Sequence, residues 1–107
     1  MNMGIKVLSV VAKEIRDEPQ ELKESVFGVL ERLEHGETIP MPLCGPLFSV
    51  AKGLYELRFS YVAGEYRVFY YVKIGDAIYV IHAMKKKTQK LECRVIELLQ
   101  KRIGSLL

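Results

Sequence analysis

The chain is poor in the residues that mark the commonest reactive centres. Its two cysteines, Cys44 and Cys93, have neither metal-ligand spacing nor a disulfide-framework count. A reduced, cytosolic pair is the reading that follows. No glycine-rich phosphate cradle, nucleophile elbow or metal-binding cluster is present, so nucleotide hydrolysis, serine chemistry and zinc enzymes have no support. No metal and no cofactor are expected. No apolar run approaches the length of a membrane span, and the opening Met1-Asn2-Met3-Gly4-Ile5-Lys6 lacks a signal-peptide plan. A cytoplasmic protein without membrane contact is expected.

What is present is a globular balance, with 50% hydrophobic and 27% charged residues in 107. That length fits one compact domain over residues 1–107, able to bury about two thirds of its unfolded surface. The net charge of +3 is unevenly spread. Residues 1–37 hold 5 basic and 8 acidic side chains, net −3; residues 38–84 hold 4 and 3, net +1; residues 85–107 hold 7 and 2, net +5. A basic end on a nearly balanced domain points to a localised anion-binding surface; a solvated, lysine-rich helix is the plainer alternative.

Hydrophobic periodicity supplies the elements. Leu22, Val26, Val29, Leu30 and Leu33 repeat at i, i+4, i+7, i+8 and i+11, with charged residues between them. Pro19 suits the first turn of this helix and Gly36 its end. Leu8, Val11 and Ile15 mark an earlier helix, with a short strand near Ile5–Leu8 as the alternative. Residues 40–46 carry three prolines and read as an extended linker. Three strands follow, at about 54–61, 65–74 and 77–84.

A two-residue turn at Gly75-Asp76 pairs Ile74 with Ala77, Tyr71 with Val80, Phe69 with His82 and Arg67 with Met84. Arg67, Phe69, Tyr71, Val80, His82 and Met84 then share one face. Tyr66, Val68, Tyr70, Val72, Tyr79 and Ile81 take the other, against the N-terminal helices. The loop through Val62-Ala63-Gly64 decides where Arg58 lies: an even loop sets it beside Arg67, an odd one opposite, and the even register is favoured. A last helix opens at Thr88 and carries Leu91, Val95, Leu98 and Leu99, with Gly104 at its end. The expected architecture is α+β: two N-terminal helices, a three- to four-stranded antiparallel sheet and a C-terminal helix.

Three strings in order make the sequence recognisable. Gly53-Leu54-Tyr55-Glu56-Leu57-Arg58, then Tyr66-Arg67-Val68-Phe69-Tyr70, resemble the sheet core of HigB-like toxins in the RelE/ParE superfamily. His82-Ala83-Met84-Lys85-Lys86-Lys87-Thr88-Gln89-Lys90 is similar to the segment that joins the last strand of such toxins to their final helix. The resemblance covers roughly residues 20–103. It implies a phage-derived toxin of a type II toxin–antitoxin pair that cleaves mRNA on the translating ribosome without a metal. It also implies a cognate antitoxin, a helix-turn-helix protein encoded next door. The alternatives within the same fold are a ParE-like gyrase inhibitor and an inactive phage-derived relative.

RNA cleavage requires a 2′-hydroxyl to lose its proton, phosphorus to gain negative charge and the 5′-oxygen to gain a proton. Preorganised cations supply the middle requirement, and losing one costs about 3 kcal/mol, or about a hundredfold in rate. The resemblance gives Arg67 the scissile phosphate; a strand arginine merely paired with Glu65 or Glu56 is the alternative. Arg58 stays protonated, so it orients the phosphate or acidifies the 2′-hydroxyl rather than acting as a base. Glu56 is either a general base or Arg58's partner. Lys86 falls where RelE has an arginine proposed to protonate the leaving group; a solvated basic turn touching ribosomal RNA is the alternative.

His82, the only histidine in the motif region, is a candidate proton shuttle or a packed strand residue. Lys85, Lys87, Lys90 and Arg94 are expected to contact RNA or the ribosome. Phe69 and Tyr71 either stack on bases or lie beneath the final helix. Leu91 and Glu92 stand near where RelE carries a tyrosine early in its last helix, which departs from RelE-style base catalysis.

Overall fold

A computed structural model describes residues 4–86 and 90–107. The elements are β1 (Gly4–Val7), α1 (Ser9–Arg16), α2 (Gln20–Glu34), β2 (Cys44–Pro46), β3 (Leu54–Tyr61), β4 (Gly64–Lys73), β5 (Ala77–Lys86) and α3 (Cys93–Leu106). They build a five-stranded sheet in the order β1-β5-β4-β3-β2. The α+β class and the three helices follow the sequence expectation. The sheet is larger and mixed, because β1 pairs parallel to β5 while the other pairs are antiparallel.

Both added strands come from segments whose local signals are weak. The alternative strand near Ile5 forms, and the helix then starts at Ser9 with Val11 and Ile15 buried. Part of the proline-rich linker also pairs, as the three-residue edge strand β2. An edge is where a sheet accepts proline, since one side of the strand has no ladder to donate to.

Two cores cover the two faces. The helices α1 and α2 pack Val11, Ile15, Leu22, Val26 and Leu30 against Leu57, Tyr66, Val68 and Val80, among others. On the opposite face, Val95, Leu99 and Ile103 of α3 cover Leu54, Phe69 and Ile81. Each fully buried aliphatic or aromatic side chain here stabilises the fold by about 1.5–3 kcal/mol. The helix α3 begins at Cys93 rather than near Thr88, which lies outside the described residues, and it runs on through Gly104 to Leu106.

The β4–β5 hairpin corrects the expected register at one end only. Its loop is Ile74-Gly75-Asp76, with Gly75 at φ 83°, and Lys73 rather than Ile74 pairs with Ala77. The extra loop residue shifts Tyr71 onto Tyr79 and turns Val80 toward α1 and α2. A bulge between Phe69 and Tyr70 then absorbs Ile81, and Phe69↔His82 and Arg67↔Met84 pair as expected. Tyr79 and Ile81 accordingly face α3. The even β3–β4 register also holds: Tyr61 pairs with Gly64, and Arg58 lies directly opposite Arg67.

Candidate functional site

The face of the sheet under α3 changes character along its length. At one end it is apolar, where Leu54, Phe69 and Ile81 meet the helix. Moving along the ladder, Glu56 opposes Phe69, Arg58 opposes Arg67, and Glu65 opposes Lys86. Strand alternation explains the gathering: Glu56 and Arg58, Glu65 and Arg67, and Met84 and Lys86 are each two residues apart and so share a face. The polar cluster begins where the apolar stripe ends.

Glu56 is its centre. The Oε1 atom accepts a hydrogen bond from Arg58 Nε at 3.0 Å, while Oε2 lies 3.7 Å from Arg67 Nε and 3.8 Å from Lys86 Nζ. The side chains of both Glu56 and Arg67 are only 4% exposed. Arg67 also donates from NH2 to Glu65 Oε2 at 3.1 Å, and that second carboxylate is 45% exposed. The remaining Arg67 nitrogens, Nε and NH1, are shut from solvent without a hydrogen-bond partner. A buried guanidinium that satisfies one nitrogen of three is under-coordinated, since five donors need acceptors.

Arg58 is seated differently. Its NH1 donates to Pro42 O at 2.9 Å, and its side chain keeps 33% of its surface in solvent. The guanidinium lies across Gly45, where a Cβ would come within 2.6 Å of NH2. The edge strand β2 is thus a backbone shelf for the arginine, and only glycine leaves room for it. Gly45→Ala is expected to push the guanidinium off Glu56 and Pro42 and to lower stability by about 1–2 kcal/mol, the worth of those bonds. Urea unfolding measures this, and an unchanged midpoint would mean that the arginine reseats without loss.

The other sequence candidates scatter. Lys85, one residue before Lys86, belongs to the opposite face, where its charge lies near the Tyr61 hydroxyl. Arg94 sits in the first turn of α3, exposed and paired with Glu92 at 3.1 Å. Lys90 precedes that helix and is exposed. Lys87 lies outside the described residues. Phe69 is fully buried beneath α3, and Tyr71 packs against the same core. Two contributors escaped the sequence reading. Gly45 carried only the signal of a glycine between prolines. Arg102 stands seven residues after Val95, a charge on the apolar stripe of α3.

Arg102 holds His82. Its NH1 donates to Ile81 O at 2.6 Å and lies 3.3 Å from His82 Nδ1, while the imidazole stacks on Phe69 with ring centres 5.7 Å apart. Burial, reinforced by the Arg102 charge, pushes the His82 pKa down from 6.5 to about 4. The ring is therefore neutral at pH 7. Arginine cannot accept, so Nδ1 must, and the proton resides on Nε2. Because the folded value lies below the unfolded one, the associated stability is present above pH 6.5 and is lost as pH falls toward about 4. A loss of roughly 3 kcal/mol over that window is expected in urea titrations, and His82→Gln should flatten it.

Among the described residues, no group of three or more His, Cys, Asp or Glu side chains could hold a metal ion. No described helix is long and apolar enough to cross a membrane.

No curated protein matches the chain. Among solved structures, an arginine-to-alanine double mutant of E. coli toxin RelE in the free state aligns over 100% of both chains, with a TM-score of 0.54 and 18% identity. The likeness is one of fold, covering every element described above. Residues 13–104 match the family described as phage derived protein Gp49-like. The chain belongs to this Gp49-like family of phage-derived proteins, built on the RelE fold.

Proposed function

We propose that this single-domain chain is the toxin of a type II toxin–antitoxin pair and a metal-independent endoribonuclease that cuts mRNA on the translating ribosome, in the cytoplasm. The observation that carries the proposal is the convergence of Arg58, Arg67 and Lys86 on one face around Glu56. RelE, whose fold the chain shares, is itself a toxin. The family likeness of the three motif strings implies the antitoxin, a helix-turn-helix protein encoded next door.

In the proposed reaction the 2′-oxygen attacks phosphorus as its proton passes to solvent water, the P–O5′ bond breaks, and the 5′-oxygen takes up a proton. Arg67 stabilises the charge that grows on the phosphoryl oxygens, and Arg58, partly in solvent and held on its shelf, orients the phosphate. Lys86 supplies the proton to the leaving oxygen. Both Glu56 oxygens already face cations, so Glu56 positions the three rather than taking a proton. Glu65 is the group a phosphate must displace: it occupies Arg67 as an internal carboxylate and is nearly half in water. Lys90 and Arg94, around the start of the last helix, and Lys85, on the opposite face of the sheet, offer positive charge to RNA outside the centre itself.

One observation favours a second reading. Arg67 is almost wholly buried between Glu56 and Glu65, as a structural ion pair would be. A non-nuclease toxin acting on gyrase, or an inactive relative, fits that burial. Inducing the chain and mapping RNA ends on ribosome-bound mRNA decides between them. New 5′-ends inside codons support the nuclease; DNA-damage signalling with intact mRNA supports the gyrase inhibitor; normal growth supports the inactive relative.

A further inference from the structure

Beside the cationic centre lies a cavity of about 390 Å³ lined by His82, Met84, Arg94, Val95 and Leu98. It borders the phosphate face directly, because Met84 is the cross-strand partner of Arg67. Its size falls within the range of small-ligand sites, and its composition follows their plan: apolar walls with a few oriented polar groups. Met84, Val95 and Leu98 are the walls.

The polar groups are donors. Arg102 engages Nδ1 of His82, so the ring can offer only its Nε2–H to an occupant. Arg94 has five N–H groups and no acceptor, and among the described residues its Nε alone has a partner, Glu92. A cavity with apolar walls, two donor side chains and no strong acceptor among its lining side chains suits a ring that presents two adjacent acceptors.

We propose that this cavity receives the nucleobase flanking the phosphate held at Arg58 and Arg67, and that it prefers guanine. The O6 and N7 atoms of guanine form such an acceptor pair, which arginine reads in a bidentate manner. Adenine sets an amino donor beside N7 and would oppose a second donor. The polarizable Met84 thioether supplies a contact surface for the ring. His82 and Arg94 are thereby specificity-determining residues. This deepens the nuclease reading, since it names what the same site recognises.

The test needs no cleavage. The isolated chain, carrying methyl-labelled methionine, is titrated with guanosine 5′-monophosphate, adenosine 5′-monophosphate and inorganic phosphate while the Met84 methyl signal is followed by NMR. Guanosine monophosphate should move the signal at about tenfold lower concentration than adenosine monophosphate, and inorganic phosphate should leave it in place. Arg94→Ala, a surface change that spares the core, should erase most of that preference, and His82→Gln should weaken binding of both nucleotides. A silent Met84, equal response to inorganic phosphate, or preference for adenine would each overturn the base site. Missing RNA ends would overturn the nuclease reading alone, whereas RNA ends together with a silent Met84 would overturn only the base site.

Discussion

Arg67→Ala is expected to lower RNA cleavage by about a hundredfold and to let cells grow while the protein is induced. The magnitude comes from losing one preorganised cation aimed at charge that appears only in the transition state. Folding should survive. Glu56 keeps Arg58 at 3.0 Å and Lys86 at 3.8 Å, so its buried carboxylate is not stranded, and Glu65 returns to water. Primer extension on ribosome-bound mRNA gives the rate, and a urea titration on the same preparation shows that the loss is chemical. A folded variant that cleaves at the parental rate would remove Arg67 from the reaction.

Glu56→Ala should have the largest effect on stability, about 3–5 kcal/mol. Three cations converge on that carboxylate, and they differ in their escape routes. Arg58 can turn toward solvent along its exposed side, but Arg67 has no such path. Removing the anion leaves a sealed guanidinium facing Arg58 across the ladder, with only the outer carboxylate of Glu65 to offset it. Glu56→Gln keeps the shape without the charge and should recover only a small part of the loss. Urea unfolding of the three proteins provides the comparison. A cost below about 1 kcal/mol for the alanine variant would mean that the folded cluster is already hydrated.

The sequence disclosed most where local pattern and tertiary demand agree. The stripe from Leu22 to Leu33 became α2, with those residues buried as their spacing required. Arg58 and Arg67 fell opposite one another because the β3–β4 loop is even, which follows from the period of two in a strand. The two edge strands were harder to see. Gly4–Val7 is too short to show a period, and Cys44–Pro46 is hidden among prolines; each owes its existence to a neighbour's unpaired ladder. The Arg58 seat was illegible for a related reason. Its shelf, Gly45, lies thirteen residues upstream and contributes no side chain at all. His82 was visible as a titratable group, but its neutral state comes first from burial under α3 and then from Arg102, twenty residues away on that helix.

The displaced Ile81 also bears on how such a chain can change over generations. A loop of odd length at one extremity of a hairpin ordinarily inverts the whole ladder, and every functional group would be thrown to the wrong side. Here one strand spends a single residue midway, as an expansion joint does in a rail. The exposed tip around Ile74 is thereby free to drift in composition without disturbing the guanidinium pair at the far end.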